Sequence, residues 1–171
     1  MKRSSGLLPR LALAVVVVTA LAGRALAGEA LPLKGSLEGV HVSRTPLDPP
    51  FVFDVFEATG QATQLGQFHL VIEAVVNFGA RPVTGVGTFT FTAANGDTLV
   101  ADETGSSALI APGVVLITEH ATIDPDRSTG RFAGATGTFT VERLADPVTG
   151  VTGATVGSFE GTICLATPLS R

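Results

Sequence analysis

The stretch that decides the fold is Gln67-Phe68-His69-Leu70-Val71-Ile72-Glu73-Ala74-Val75-Val76-Asn77-Phe78. Its even-numbered positions, Phe68, Leu70, Ile72, Ala74, Val76 and Phe78, are all apolar, while the odd positions mix Gln, His, Glu and Asn with valine. A strand sends alternate residues to opposite faces, so this segment has one wholly apolar face and one mixed face. A helix would scatter both sets around its circumference. The segment reads as a strand.

Working outward, the same period recurs. Phe89 and Phe91 alternate with Thr88, Thr90 and Thr92, and the run ends at Ala94-Asn95-Gly96-Asp97. Asn-Gly between alternating runs predicts a hairpin with a type I′ turn, and Thr98–Thr104 as the return strand. Val114–Ile123 follows, then a turn over Asp124–Gly130, a strand over Thr136–Arg143, a turn over Asp146–Gly150, and a closing strand over Thr152–Cys164. Upstream, residues 28–50 read as a Pro-containing lead-in. It carries a short edge strand at Ser36–Val42 and then Thr45-Pro46-Leu47-Asp48-Pro49-Pro50, whose prolines do not suit a central strand. Eight or nine strands and no helix predict an all-β domain over 51–171. A closed antiparallel barrel is favoured over a sandwich, because closure removes the edges that long apolar strands would expose.

Composition limits the function. The 171 residues are 45% hydrophobic and 15% charged, with Gly 20, Pro 10, Phe 10, Cys 1 and neither Trp nor Tyr. A single cysteine excludes an intramolecular disulfide and a multi-Cys zinc site. Lys2, Arg3 and Arg10, the apolar run Leu11–Leu21 and the Ala25-Leu26-Ala27 cleavage site read as a signal peptide over 1–27. The expected location is therefore secreted or periplasmic, with no stable membrane insertion after cleavage; uncleaved anchoring is the alternative. The leader holds four of the eleven Lys+Arg and none of the fifteen Asp+Glu, so the remaining chain carries a net −8. Such a charge disfavours nucleic acid as a partner.

A Gly-x-Phe unit occurs five times, at Gly66/Phe68, Gly87/Phe89, Gly130/Phe132, Gly137/Phe139 and Gly157/Phe159. The expected arrangement is a glycine that lets the strand bend, followed on the same face by a phenylalanine entering the core.

Thr129-Gly130-Arg131-Phe132-Ala133-Gly134-Ala135-Thr136-Gly137-Thr138-Phe139 resembles a segment of allene oxide cyclase and dirigent-type barrels, most closely their secreted bacterial branch. Gly60–Phe68 and Thr92–Asp97 are similar to two further pieces of the same pattern, in the same order. The resemblance implies an eight-stranded antiparallel β-barrel with an apolar lumen. In the plant members the lumen holds a small, largely apolar ligand and the barrels form oligomers. The matched residues are turn glycines and core phenylalanines, so no catalytic residue is carried over.

Glu119 is the most unusual polar residue. It lies on the row Val115, Ile117, Glu119, Ala121, Ile123, and inside a lumen it would be a desolvated carboxylate with a raised pKa, able to bind a hydroxyl or act as a general acid or base. The opposite row, Val114, Leu116, Thr118, His120, Thr122, is the competing inward face. His69, Glu73 and Asn77 step ~13 Å apart along one strand, too far for a shared metal, and read as a solvated face. His41 and His120 have no partner at ligand spacing. Asp124-x-Asp126-x-Ser128 begins like a calcium loop but lacks its glycine and twelfth-position glutamate, so a turn explains it better. Cys164 is solitary, and no serine sits in a nucleophile elbow.

These features lead to an exported barrel binding a small apolar molecule, with Phe89, Phe91, Phe139 and Glu119 as the ligand-contacting candidates. No metal or cofactor is expected, and the balance leans away from an enzyme. The alternatives are an isomerase or cyclase using Glu119, and a structural or interaction protein whose lumen is a filled core.

Overall fold

Alternating rows of this kind can bury their apolar face only against one another, and they do so by closing into a ring. The computed structural model describes residues 28–146 and 153–166. The strands are β1 (Ala30–Pro46), β2 (Phe51–Ala62), β3 (Gly66–Asn77), β4 (Val83–Ala93), β5 (Thr98–Ala111), β6 (Val114–Ile123), β7 (Thr136–Ala145) and β8 (Ala154–Cys164). Each pairs antiparallel with its sequence neighbours and β8 returns to β1, giving a closed eight-stranded barrel. Residues 1–27, expected to be a signal peptide, and residues 147–152 and 167–171 lie outside the described residues. Among the described residues no helix is long and apolar enough to cross a membrane.

Two expectations are corrected. The chain from residue 28 to 50 is no lead-in with an edge strand: Ser36–Val42 is the middle of β1, which spans 17 residues and pairs with β2 on one side and β8 on the other. Its prolines stand at Pro32, near the start of the strand, and at Pro46, its last residue. The Asn-Gly turn is also not type I′. Ala93 N donates to Asp97 O (2.9 Å) and Gly96 N to Ala93 O (2.9 Å), closing a three-residue loop. Only Gly96 takes positive φ, at +88°, while Asn95 spends its side chain on Asp97.

The inward rows fill half of the barrel completely. Phe91 packs against the rings of Phe68, Phe89, Phe139 and Phe159 at centroid separations of 5.2–6.1 Å, in tilted and edge-on geometries favoured by ring quadrupoles. Leu65, from the β2–β3 turn, with Phe132 and Ala135, from the β6–β7 connection, close that end and are themselves buried. All five phenylalanines of the Gly-x-Phe units are buried. Their glycines divide into two kinds. Gly66, the first residue of β3, and Gly130, in the β6–β7 connection, take φ of +69° and +59°, and Gly137 is also at positive φ. Gly87, Gly137 and Gly157 lie in strands so close to the next strand that any Cβ would collide with its backbone.

Candidate functional site

Toward the opposite end of the barrel the same inward rows change character. The row of β2 continues from Ala58 and Phe56 to Asp54, that of β5 from Leu99 and Ala101 to Glu103, and that of β7 from Phe139 and Val141 to Arg143. With Glu119 of β6 and His41 of β1 they form a ring of titratable side chains on the inner wall, each under 9% exposed. Arg44 joins them through an irregularity. The β1–β2 register steps from His41↔Phe56 to Ser43↔Val55, so Val42 is a bulged extra residue. Without the bulge, His41 and Arg44, three apart, would face opposite sides; the extra residue turns Arg44 inward, opposite Asp54.

The charges are arranged in two sets. Arg143 Nε donates to Glu119 Oε2 (2.9 Å) and Nη2 to Oε1 (2.7 Å), a two-point ion pair with both side chains under 5% exposed. The guanidinium lies over the Phe56 ring at 4.4 Å, and its Nη1 donates to Thr155 Oγ1 (3.4 Å), which in turn donates to Leu144 O. In the second set, Asp54 accepts from Arg44 Nε (2.8 Å) and Nη2 (2.7 Å), and from the Nε2–H of His41 (3.2 Å). His41 stacks on the other side of the set against Phe56, centroids 4.6 Å apart. Both carboxylates are thereby saturated with donors, as buried charges require.

Glu103 belongs to neither set. It is 4% exposed, and its Oε2 has no hydrogen-bond partner among the described residues. Burial, reinforced by the neighbouring negative charge of Glu119 and offset by Arg143, pushes its carboxyl up to about 7. Glycine makes room for it: a Cβ at Gly87 would stand 2.7 Å from Glu103 Oε1, and one at Gly105 would stand 3.5 Å from Oε2 and 2.8 Å from Glu119 Cγ.

These groups line a cavity of about 140 Å³ at the open end of the barrel. Its apolar wall is Phe56, Ala74, Val76, Val83, Val115 and Ile117, with Phe78, Ser107 and Asp146 nearer the strand ends. A shallower depression of about 800 Å³ lies on the outside of the sheet, across Ser36, Thr59, Gln61, Gln67, His69 and Thr92. The larger concavity is open on the outer surface and contains no buried charge, so the smaller interior one is the chemically distinctive site.

The structure places Glu119 on the lumen row, but as an ion-paired carboxylate; the carboxyl raised by desolvation is Glu103. Phe89, Phe91 and Phe139, expected to contact ligand, lie instead in the packed half, where an eight-stranded barrel is narrow enough for side chains to fill it. The aromatic residues on the cavity wall are Phe56 and Phe78. His41, whose lack of a nearby ligand-spaced partner counted against it, finds Asp54 across the first hairpin. Asp54, Glu103 and Arg143 were missed, yet each interrupts an apolar alternating row, the same signal that singled out Glu119. His69 and His120 face outward, toward Glu57 and Thr140 respectively. Asp124 spends its carboxylate on the turn, accepting from Asp126 N, Arg127 N and Arg127 Nε. Cys164 is partly buried at the end of β8. Compared with protein-family models and with curated proteins, the sequence matches none.

Proposed function

We propose that this is an exported β-barrel that binds a small, mostly apolar molecule at the open end of its lumen. The observation that carries the proposal is the cavity with apolar walls and a buried, charged floor, a combination typical of ligand sites. Its size sets the scale of the occupant. An apolar cavity of ~150 Å³ accepts benzene, whereas whole drug-sized ligands need ~300 Å³ or more. About 140 Å³ therefore suits one ring or a short branched chain, with any remainder of the molecule leaving through the mouth. The resemblance to ligand-holding barrels in sequence supports the same reading. The filled phenylalanine half is then the scaffold that keeps the site rigid.

A catalytic role, as an isomerase or cyclase, is the second reading, and one observation favours it. A carboxyl raised to about 7 inside an apolar site is poised to accept and return a proton at neutral pH. In this reading the acid–base group is Glu103 rather than Glu119.

The test is mass spectrometry of natively purified protein for bound small molecules, with titration calorimetry of single-ring compounds against wild type and Gly85→Val. Gly85 lines the cavity, and a Cβ there meets only ordinary contacts, 3.6 Å to Val75 O and 3.8 Å to Val76 Cγ2. The variant should fill the site and abolish binding while the fold persists. Saturable binding that Gly85→Val leaves intact, or no binding of any compound in wild type, sinks the proposal.

A further inference from the structure

The charges around the cavity do not balance. On its inner wall stand the carboxyl groups of Asp54, Glu103 and Glu119 and two guanidiniums, Arg44 and Arg143. Both guanidiniums are committed: Arg44 to Asp54 through two hydrogen bonds, and Arg143 to Glu119 through two more. His41 is likewise engaged with Asp54. Glu103 is left on the wall as a buried carboxyl group with an oxygen that accepts no hydrogen bond among the described residues. An unsatisfied buried acceptor is costly, and such groups in native proteins generally have a partner in the working state.

We propose that the pocket takes an organic ammonium ion, its apolar body against Phe56, Val76, Val83 and Ile117 and its N–H groups on the carboxylate of Glu103. This rests on the reading of the cavity as a small-molecule site and adds the chemical class of the ligand. An ammonium group donates to the Glu103 carboxylate and supplies the missing positive charge. A ligand carboxylate would meet Glu103 and Glu119 while both guanidiniums are already occupied. A neutral hydroxyl can donate the hydrogen bond but leaves the charge uncompensated.

Ammonium binding favours ionised Glu103, so it releases a proton wherever the free protein holds one. Affinity should rise up to about tenfold per pH unit below pH 7 and level off above it. The other titratable groups that line the cavity are His41 and Arg44 on β1, Asp54 on β2, Glu119 on β6, Arg143 on β7 and, just beyond β7, Asp146. The share due to Glu103 is the part that Glu103→Gln removes.

The experiment is titration calorimetry of purified wild type and Glu103→Gln with benzylammonium, benzyl alcohol and benzoate at pH 8 and constant ionic strength. At pH 6 the measurement is repeated in two buffers of different ionisation enthalpy to count protons. Wild type should bind benzylammonium at least tenfold more tightly than benzyl alcohol, with proton release at pH 6. Glu103→Gln should lose that preference, its affinity for benzylammonium falling at least tenfold more than its affinity for benzyl alcohol. Equal affinities for amine and alcohol in wild type, tightest binding of benzoate, or no proton release at pH 6 overturns the ammonium assignment and leaves the pocket reading standing. Failure of all three compounds to bind overturns both.

Discussion

Replacing Glu103 by Gln should stabilise the protein, and by an amount that depends on pH. In the unfolded chain this carboxyl titrates near 4.5; in the fold it is pushed up to about 7. Between those values the folded state holds more protons than the unfolded state, so stability falls as pH rises through the window. The penalty is absent well below pH 4.5, roughly 1 kcal/mol at pH 5, and on the order of 3 kcal/mol at pH 8, where both states are ionised. Glutamine keeps the shape and carries no titrating charge, although burying its amide cancels part of the gain. The difference in unfolding free energy between Glu103→Gln and wild type should therefore grow by about 2 kcal/mol from pH 5 to pH 8. Urea denaturation of both proteins at the two pH values measures it, and every other titrating group cancels in the comparison. A difference that stays constant within about 0.5 kcal/mol, or one that shrinks toward pH 8, would refute the claim that Glu103 is a desolvated and uncompensated carboxyl.

Other perturbations test the rest of the interior. Arg143→Met strands Glu119 as an unpaired buried charge and should cost about 3–5 kcal/mol in urea denaturation; adding Glu119→Met should recover most of that loss. Phe91→Ala, at the centre of the ring cluster, should cost about 3–5 kcal/mol, whereas Phe78→Ala near the mouth, where the side chain is 42% exposed, should cost under ~1 kcal/mol. Ser128→Ala removes the acceptor for Val100 N and the donor to Asp124 O, and should cost about 1–3 kcal/mol, with faster hydrogen exchange at the Val100 amide.

Much of the fold was legible because a strand's period of two is visible wherever one face is buried. Gln67–Phe78 showed it without ambiguity, and the rows around Phe89, Phe139 and Phe159 followed. The first strand was misjudged because Gly35 and Gly39 dilute its apolar row, leaving Leu33, Leu37 and His41 as its buried residues, and because prolines stand near both its ends. What made it central was the pairing of both its edges, a long-range fact carried by β2 and β8 together. The Asn95-Gly96 turn was placed correctly but typed wrongly, since Asn95 uses its side chain on Asp97 and leaves positive φ to Gly96 alone.

For the site, the sequence by itself determined that a carboxylate, Glu119, interrupts an apolar row, but left open which row of that strand faces the lumen. Asp54, Glu103 and Arg143 carry the same mark. What only the tertiary structure decided was their pairing. Arg143 reaches Glu119 from the adjacent strand, and Arg44 reaches Asp54 because a single bulged residue at Val42 reverses the facing of the chain beyond it. Local alternation determines which face a side chain takes. Strand register and bulges, set by the closure of all eight strands, determine which charges meet and which one, Glu103, is left over.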